Sequence, residues 1–136
     1  MPDIALVADS TGGVVESIQQ HTAPCAVDIS PRTPVRFDAN GKFVPARGNT
    51  APNAKPYGVS SNVKTVKAGF PVTAIKRGVL DGFNFTQAYG SDIFLSDTEG
   101  KLSDAAGTIS VKVGTVVSGW AQTLGNSADK LLSVEL

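Results

Sequence analysis

The sequence predicts an all-β fold, a small barrel or sandwich preceded by an extended N-terminal arm. Three observations predict it. Fourteen glycines and eight prolines are spread through the 136 residues, punctuating the chain into short segments. No apolar pattern of period 3.6 runs far enough for a substantial helix. Several segments alternate apolar and polar residues, as in Ile109-Ser110-Val111-Lys112-Val113, which suits a strand with one buried face.

In chain order, residues 1–32 read as the arm. Asp3–Val7 is short and apolar, Ser10-Thr11-Gly12-Gly13 is a flexible break, and Thr22–Cys25 contains Pro24. Val14–Gln20 is the best helical candidate, a poor one because it opens on two β-branched residues. Residues 33–136 read as the β domain. Its strand candidates are Pro34–Phe37, Lys42–Pro45, Tyr57–Ser60, Pro71–Arg77, Asp92–Leu95, Thr108–Val117 and Leu131–Leu136. Residues 46–56 are small, polar and proline-containing, hence a loop. Residues 118–130 read as a long loop before the last strand, and a loop of that length without structure of its own is usually functional or mobile.

Two hairpins share a pattern. Val35-Arg36-Phe37-Asp38-Ala39-Asn40-Gly41-Lys42-Phe43 parallels Phe94-Leu95-Ser96-Asp97-Thr98-Glu99-Gly100-Lys101-Leu102 at an offset of 59 residues. In Asp-x-x-Gly-Lys the Asp can accept a turn N–H and the Gly can take positive φ. Each hairpin precedes a short strand with glycine, Tyr57-Gly58-Val59-Ser60 and Val113-Gly114-Thr115-Val116. The sequence thus predicts an internal quasi-duplication of a β unit. Shared turn chemistry without duplication is the competing explanation.

Twelve basic and twelve acidic residues balance to zero, which argues against a globally basic nucleic-acid binder. The balance hides a segregation. Residues 1–31 net −4, with no Lys or Arg. Residues 32–77 carry nine basic residues against Asp38 alone, +8. Residues 78–136 carry three lysines against seven acids, −4. Segregation of this kind arises on any solvated surface, or else serves self-association, the basic middle of one copy meeting an acidic end of another. Arg32, Arg36, Lys64, Lys67, Lys76 and Arg77 are the candidate cations. No apolar run approaches the ~20 residues of a membrane span, and Met-Pro-Asp-Ile-Ala is not the opening of a secretory signal.

Catalytic signatures are sparse. Neither a phosphate-binding glycine loop nor a nucleophile elbow is present. His21 and Cys25, single examples of their kinds, lie four residues apart. A Cys–His pair would need further partners, and a packed thiol with a surface imidazole is the simpler reading. Asp97 with Glu99, and Asp38 with Asn40, allow an oxygen-ligand cation site, but turn capping accounts for them. Asn84-Phe85-Thr86 fits the glycosylation pattern by chance. No enzyme activity, cofactor or metal is expected. Trp120, the sole tryptophan, either packs on its own domain or anchors a subunit interface.

The C-terminal blocks carry a resemblance. Arg77-Gly78-Val79-Leu80-Asp81-Gly82-Phe83, Ala88-Tyr89-Gly90, Phe94-Leu95-Ser96-Asp97-Thr98-Glu99-Gly100-Lys101-Leu102, Val111-Lys112-Val113-Gly114-Thr115-Val116-Val117 and the closing Asp129–Leu136 follow one another. In this pattern, over residues 33–136, the chain resembles the head decoration (cement) proteins of tailed bacteriophages. Residues 1–32 match nothing in that pattern. The resemblance implies a β-barrel or β-tulip-like domain with an extended arm, on the outer surface of the virion capsid. It implies a homo-oligomer, a trimer by preference, that clamps neighbouring major capsid subunits, with no nucleic acid, membrane or cofactor involved. Ile4, Leu6, Val7, Val14, Val15 and Ile18 would then form the capsid-binding arm, and Trp120 with the six cations the subunit interface. The alternatives are a low-copy virion component (spike, fibre or head–tail adaptor) and a ligand-binding β module.

Overall fold

The computed structural model describes residues 3–6, 14–119 and 130–136. Among the described residues the protein is all-β, with no helix. Its strands are β1 (Ala5–Leu6), β2 (Val14–Pro24), β3 (Pro34–Phe37), β4 (Phe43–Pro45), β5 (Gly58–Ser60), β6 (Pro71–Leu80), β7 (Phe83–Asn84), β8 (Asp92–Leu95), β9 (Leu102–Ser103), β10 (Lys112–Ser118) and β11 (Lys130–Glu135). Two predicted strands, Pro34–Phe37 and Asp92–Leu95, coincide with β3 and β8. The strand predicted from Thr108 starts only at Lys112, because its first residues are bonded elsewhere. The Thr108 N–H donates to Asp97, and the Ile109 N–H donates to the Gly48 carbonyl. The helical candidate Val14–Gln20 is strand, since Val14 and Val15 favour extended backbone and β6 supplies a ladder along the whole of β2.

Eight strands form one antiparallel path, β4-β3-β5-β6-β11-β10-β8-β9, with β2 added to β6. The path is a repeat. In the first half β3 pairs β4 and β5, and β5 pairs β6. In the second half β8 pairs β9 and β10, and β10 pairs β11. The fourth strands of the two halves, β6 and β11, pair antiparallel in the middle. The quasi-duplication read from the hairpins is therefore repeated in the connectivity. The third strand of each half holds a glycine pressed against the fourth. A Cβ on Gly58 would collide with the Ile75 carbonyl, and one on Gly114 with the Ser133 carbonyl.

The hairpin turns are not identical. In the first, Asp38 Oδ1 accepts from the Asn40 and Lys42 N–H groups at 2.8 and 2.9 Å. In the second, Ser96 Oγ takes the turn N–H of Thr98 at 3.0 Å, while Asp97 reaches away to Thr108. Gly41 and Gly100 both adopt the positive φ that the pattern predicts, 76° and 70°.

The sheet curls strongly, into a half-barrel whose two ends are stitched by main-chain bonds. The Gly48 N–H donates to Ser96, the Gly100 N–H to Ala46 and the Ile109 N–H to Gly48, all at 2.8–2.9 Å. Inside lies the larger core, built around Val59, Ile75, Leu80, Ile93, Leu95 and Leu132. On the other side of β6 a smaller core gathers Cys25, Ile29, Val35, Phe43, Val72 and Ala74.

That smaller core corrects the predicted domain boundary at residue 32. Ala23, Cys25, Ile29 and Arg32 are buried, and β2 is laddered to β6, so residues 14–32 belong to the folded body. Ile4 is buried in the larger core as well. The N-terminal chain caps the two halves at matching places. The Ile4 N–H donates to Leu102 and the Ala26 N–H to Phe43, residues that occupy the same position of the repeat. A composition-based reading misses this, because the partners lie 17 to 98 residues away.

The two pressed glycines make the repeat testable. Gly58→Ala and Gly114→Ala should each lower unfolding free energy by about 2 kcal/mol or more, through forced strand separation. Gly90→Ala, with φ 84° and no atom near its Cβ position, should cost only about 1 kcal/mol of backbone strain. Denaturant midpoints of the three variants give the comparison.

Candidate interaction surfaces

The residues predicted to bind partners separate into three groups. Some are consumed by the fold. Ile4 is buried, and Leu6 packs half-buried on the same core, with β1 paired to β7. Neither is available to a capsid. Arg32, predicted at an interface, is interior instead, with 2% of its surface exposed. Its backbone sits at a positive φ of 54°. Its Nε donates to the Asp81 carbonyl and its Nη1 to the Asn62 carbonyl, tying two loops together. Burial pushes the Arg32 guanidinium pKa down, while the Asp81 carboxylate pulls it back up. Two further candidates, Val7 and Trp120, lie outside the described residues.

The remaining cations are at or near the surface. Lys64 and Arg77 are exposed, and Arg36 and Lys76 are half-buried. Lys67 pairs with Asp28 at 3.4 Å with both side chains largely exposed. Such a pair contributes little to stability. Lys76 Nζ stands 5.1 Å from the centre of the Tyr57 ring, a cation–π contact.

The third group is the exposed part of β2. Every residue from Val14 to Thr22 is exposed, and Val14, Val15 and Ile18 leave 41%, 52% and 69% of their surface in water. A strand that buries neither face is held mainly by its ladder. Net hydrogen-bond gains of ~1 kcal/mol then oppose ordering costs of ~1–2 kcal/mol per residue. Thr22 adds a hydroxyl bond to Thr73 at 2.6 Å, and His21 adds an aromatic anchor. Its ring packs edge-on against Phe37 and Tyr57 at 5.6 and 5.8 Å, and Phe37 stacks on Phe43 at 4.7 Å. This cluster was not legible in the sequence, because its members come from β2, β3, β4 and the residue before β5.

Two further surface features emerge only in the structure. The segments 25–29 and 66–70 are joined through Cys25–Phe70, Gly69–Cys25 and the Ile29–Val66 pair of bonds, and this ribbon exposes Val27 and Phe70. At the other end of β6 lies a groove of about 420 Å³ lined by Glu16, Ile18, Arg77, Val79, Glu135 and Leu136.

His21 and Cys25 do not form a reactive pair. Cys25 is fully buried and its Sγ lies 3.3 Å from the Lys67 and Phe70 carbonyls, while His21 is exposed among aromatic rings. Among the described residues no cluster of three or more His, Cys, Asp or Glu side chains is placed to hold a metal ion. Asp97 is occupied by Thr108, at 2.8 Å from its N–H and 3.0 Å from its hydroxyl.

No protein-family model and no curated protein matches the sequence.

Two carboxylates set an acid response. The Ala68 N–H holds the Asp28 carboxyl below its ordinary value, with help from Lys67. The Lys42 and Asn40 N–H groups do the same for Asp38. A carboxylate depressed by folding adds stability above the ordinary carboxyl range and loses it as pH falls through the folded value. Stability should therefore decline on acidification below about pH 4. The double variant Asp28→Asn/Asp38→Asn should be less stable at neutral pH and show a shallower acid decline. Denaturation midpoints across pH measure both effects.

Proposed function

We propose that the protein is a virion structural protein that binds the outer surface of an icosahedral phage capsid and cements neighbouring major capsid subunits. The observation that carries this reading is the exposed length of β2. A strand with nine consecutive exposed residues and three apolar side chains in water is a surface prepared for a partner. The sequence resemblance of residues 33–136 to phage head decoration proteins supports the major capsid protein as that partner. Val14 and Val15 are the principal shell-contacting residues. Many copies on one shell bind multivalently, so a modest contact per copy is sufficient. A shell thinned by expansion gains area across its subunit seams in this way.

The body of the domain suits that role. Its two halves are closed onto each other by main-chain bonds, so a load applied at β2 passes directly into β6 and both cores. Because residues 14–24 are laddered to β6, removing the N-terminal segment would disturb the fold. Point substitutions at exposed positions are the cleaner probe.

Binding of the full chain to purified expanded shells, quantified by co-sedimentation, tests the reading. Val14→Asp/Val15→Asp should weaken binding at least tenfold while leaving thermal unfolding nearly unchanged, because both residues are exposed. Binding that is absent from the native chain, or unaltered in the variant, contradicts it. Copy number per particle separates a shell-wide protein from a spike, fibre or adaptor present in a few copies.

A further inference from the structure

We infer that copies of this chain associate head to tail, Phe70 of one copy seating in the groove formed by Ile18, Val79 and Leu136 of the next. Phe70 is the most conspicuous unburied ring in the described protein, with 63% of its surface exposed. It projects from the ribbon that joins segments 25–29 and 66–70, fixed by its own carbonyl accepting from the Cys25 N–H at 3.1 Å. A rigid, exposed aromatic of this kind is the type of side chain that anchors protein interfaces.

The groove has the matching chemistry. Its volume of about 420 Å³ accommodates an aromatic side chain. Its apolar wall comes from Ile18, Val79 and Leu136, and Glu16 and Glu135 outnumber Arg77 among its charged residues. The knob carries the opposite sign. Lys64 and Lys67 lie in the loop that leads to Phe70, both exposed; Lys67 is paired with Asp28 of the same ribbon, whereas Lys64 has no ion pair among the described residues, so one net positive charge remains beside the ring. The knob is thus flanked by basic residues and the groove has a net acidic rim.

The same chain cannot satisfy itself. Phe70 immediately precedes β6, whereas the groove uses Arg77–Val79 near its far end. At about 3.3 Å per residue these sites are roughly 25 Å apart. Knob and groove are different surfaces, so the contact is heterologous, closing into a ring or extending as a filament.

Sedimentation of the full chain over a wide concentration range provides the test, with no shell protein present, so its result is read separately from the shell-binding assay. The native chain should sediment as more than one copy, and added salt should weaken the assembly. Phe70→Asp should raise the dissociation constant at least about thirtyfold, as should Glu16→Lys/Glu135→Lys. All three positions are exposed, and unchanged near-ultraviolet circular dichroism verifies the fold. Each of these two variants keeps one intact half of the contact. Mixed together they should form a one-to-one heterodimer that neither forms alone. A native chain that stays monomeric throughout, association unaffected by Phe70→Asp, or variants that fail to complement would each overturn the inference.

Discussion

The fold depends on β6. Its ten residues hydrogen-bond to β5, β11 and β2 and place side chains in both cores. Ile75 and Leu80 enter the larger core, Val72 and Ala74 the smaller. A strand buried on both faces leaves little freedom to its neighbours, since a one-residue slip would exchange the two cores. The close approach at Gly78 sharpens this constraint. A Cβ there would strike the Glu16 carbonyl, and its φ of 156° is one that L side chains rarely adopt, so the glycine answers both to crowding and to backbone conformation.

From β6 the remaining architecture follows as two copies of one arrangement. Each half contributes a hairpin, a glycine-bearing third strand and a long fourth strand, and the fourth strands meet in the centre. The halves differ in what covers them. β2 and the segment after it complete the smaller core of the first half, while Ile4 reaches the second. The N-terminal chain is thus partly structural cement within the molecule and partly an exposed ribbon. The division falls within β2 itself, where exposure gives way to burial at Ala23.

The surface follows a similar logic. Interior cations and apolar residues of the N-terminal segment are spent on internal contacts, as with Arg32 and Ile4. Three surface features remain open to a partner: the outer length of β2, the Phe70 knob and the groove at the far end of β6. The proposed shell contact at Val14 and Val15 and the proposed self-association through Phe70 call on different residues, although Glu16 and Ile18 of the groove lie on the same strand as the two valines.

Local chemistry in the sequence was enough to determine the all-β class, most strand positions, the positive-φ glycines of the two hairpin turns and the repeat, because alternation, turn glycines and a 59-residue offset are properties of short segments; it did not determine that Ser96 rather than Asp97 accepts the turn N–H of the second hairpin. It determined β3 and β8 to the residue. It could not determine the two-residue strands β1, β7 and β9, which have too few residues to show a period and exist only because a partner strand is adjacent. Tertiary structure alone decided that Val14–Gln20 is extended, that Ile4 and Arg32 point inward and that His21 joins an aromatic cluster. It also decided where an exposed Phe70 stands relative to a groove. In each of these the controlling contact lies far along the chain. Burial and pairing are settled by which distant segment arrives, and composition carries no record of that.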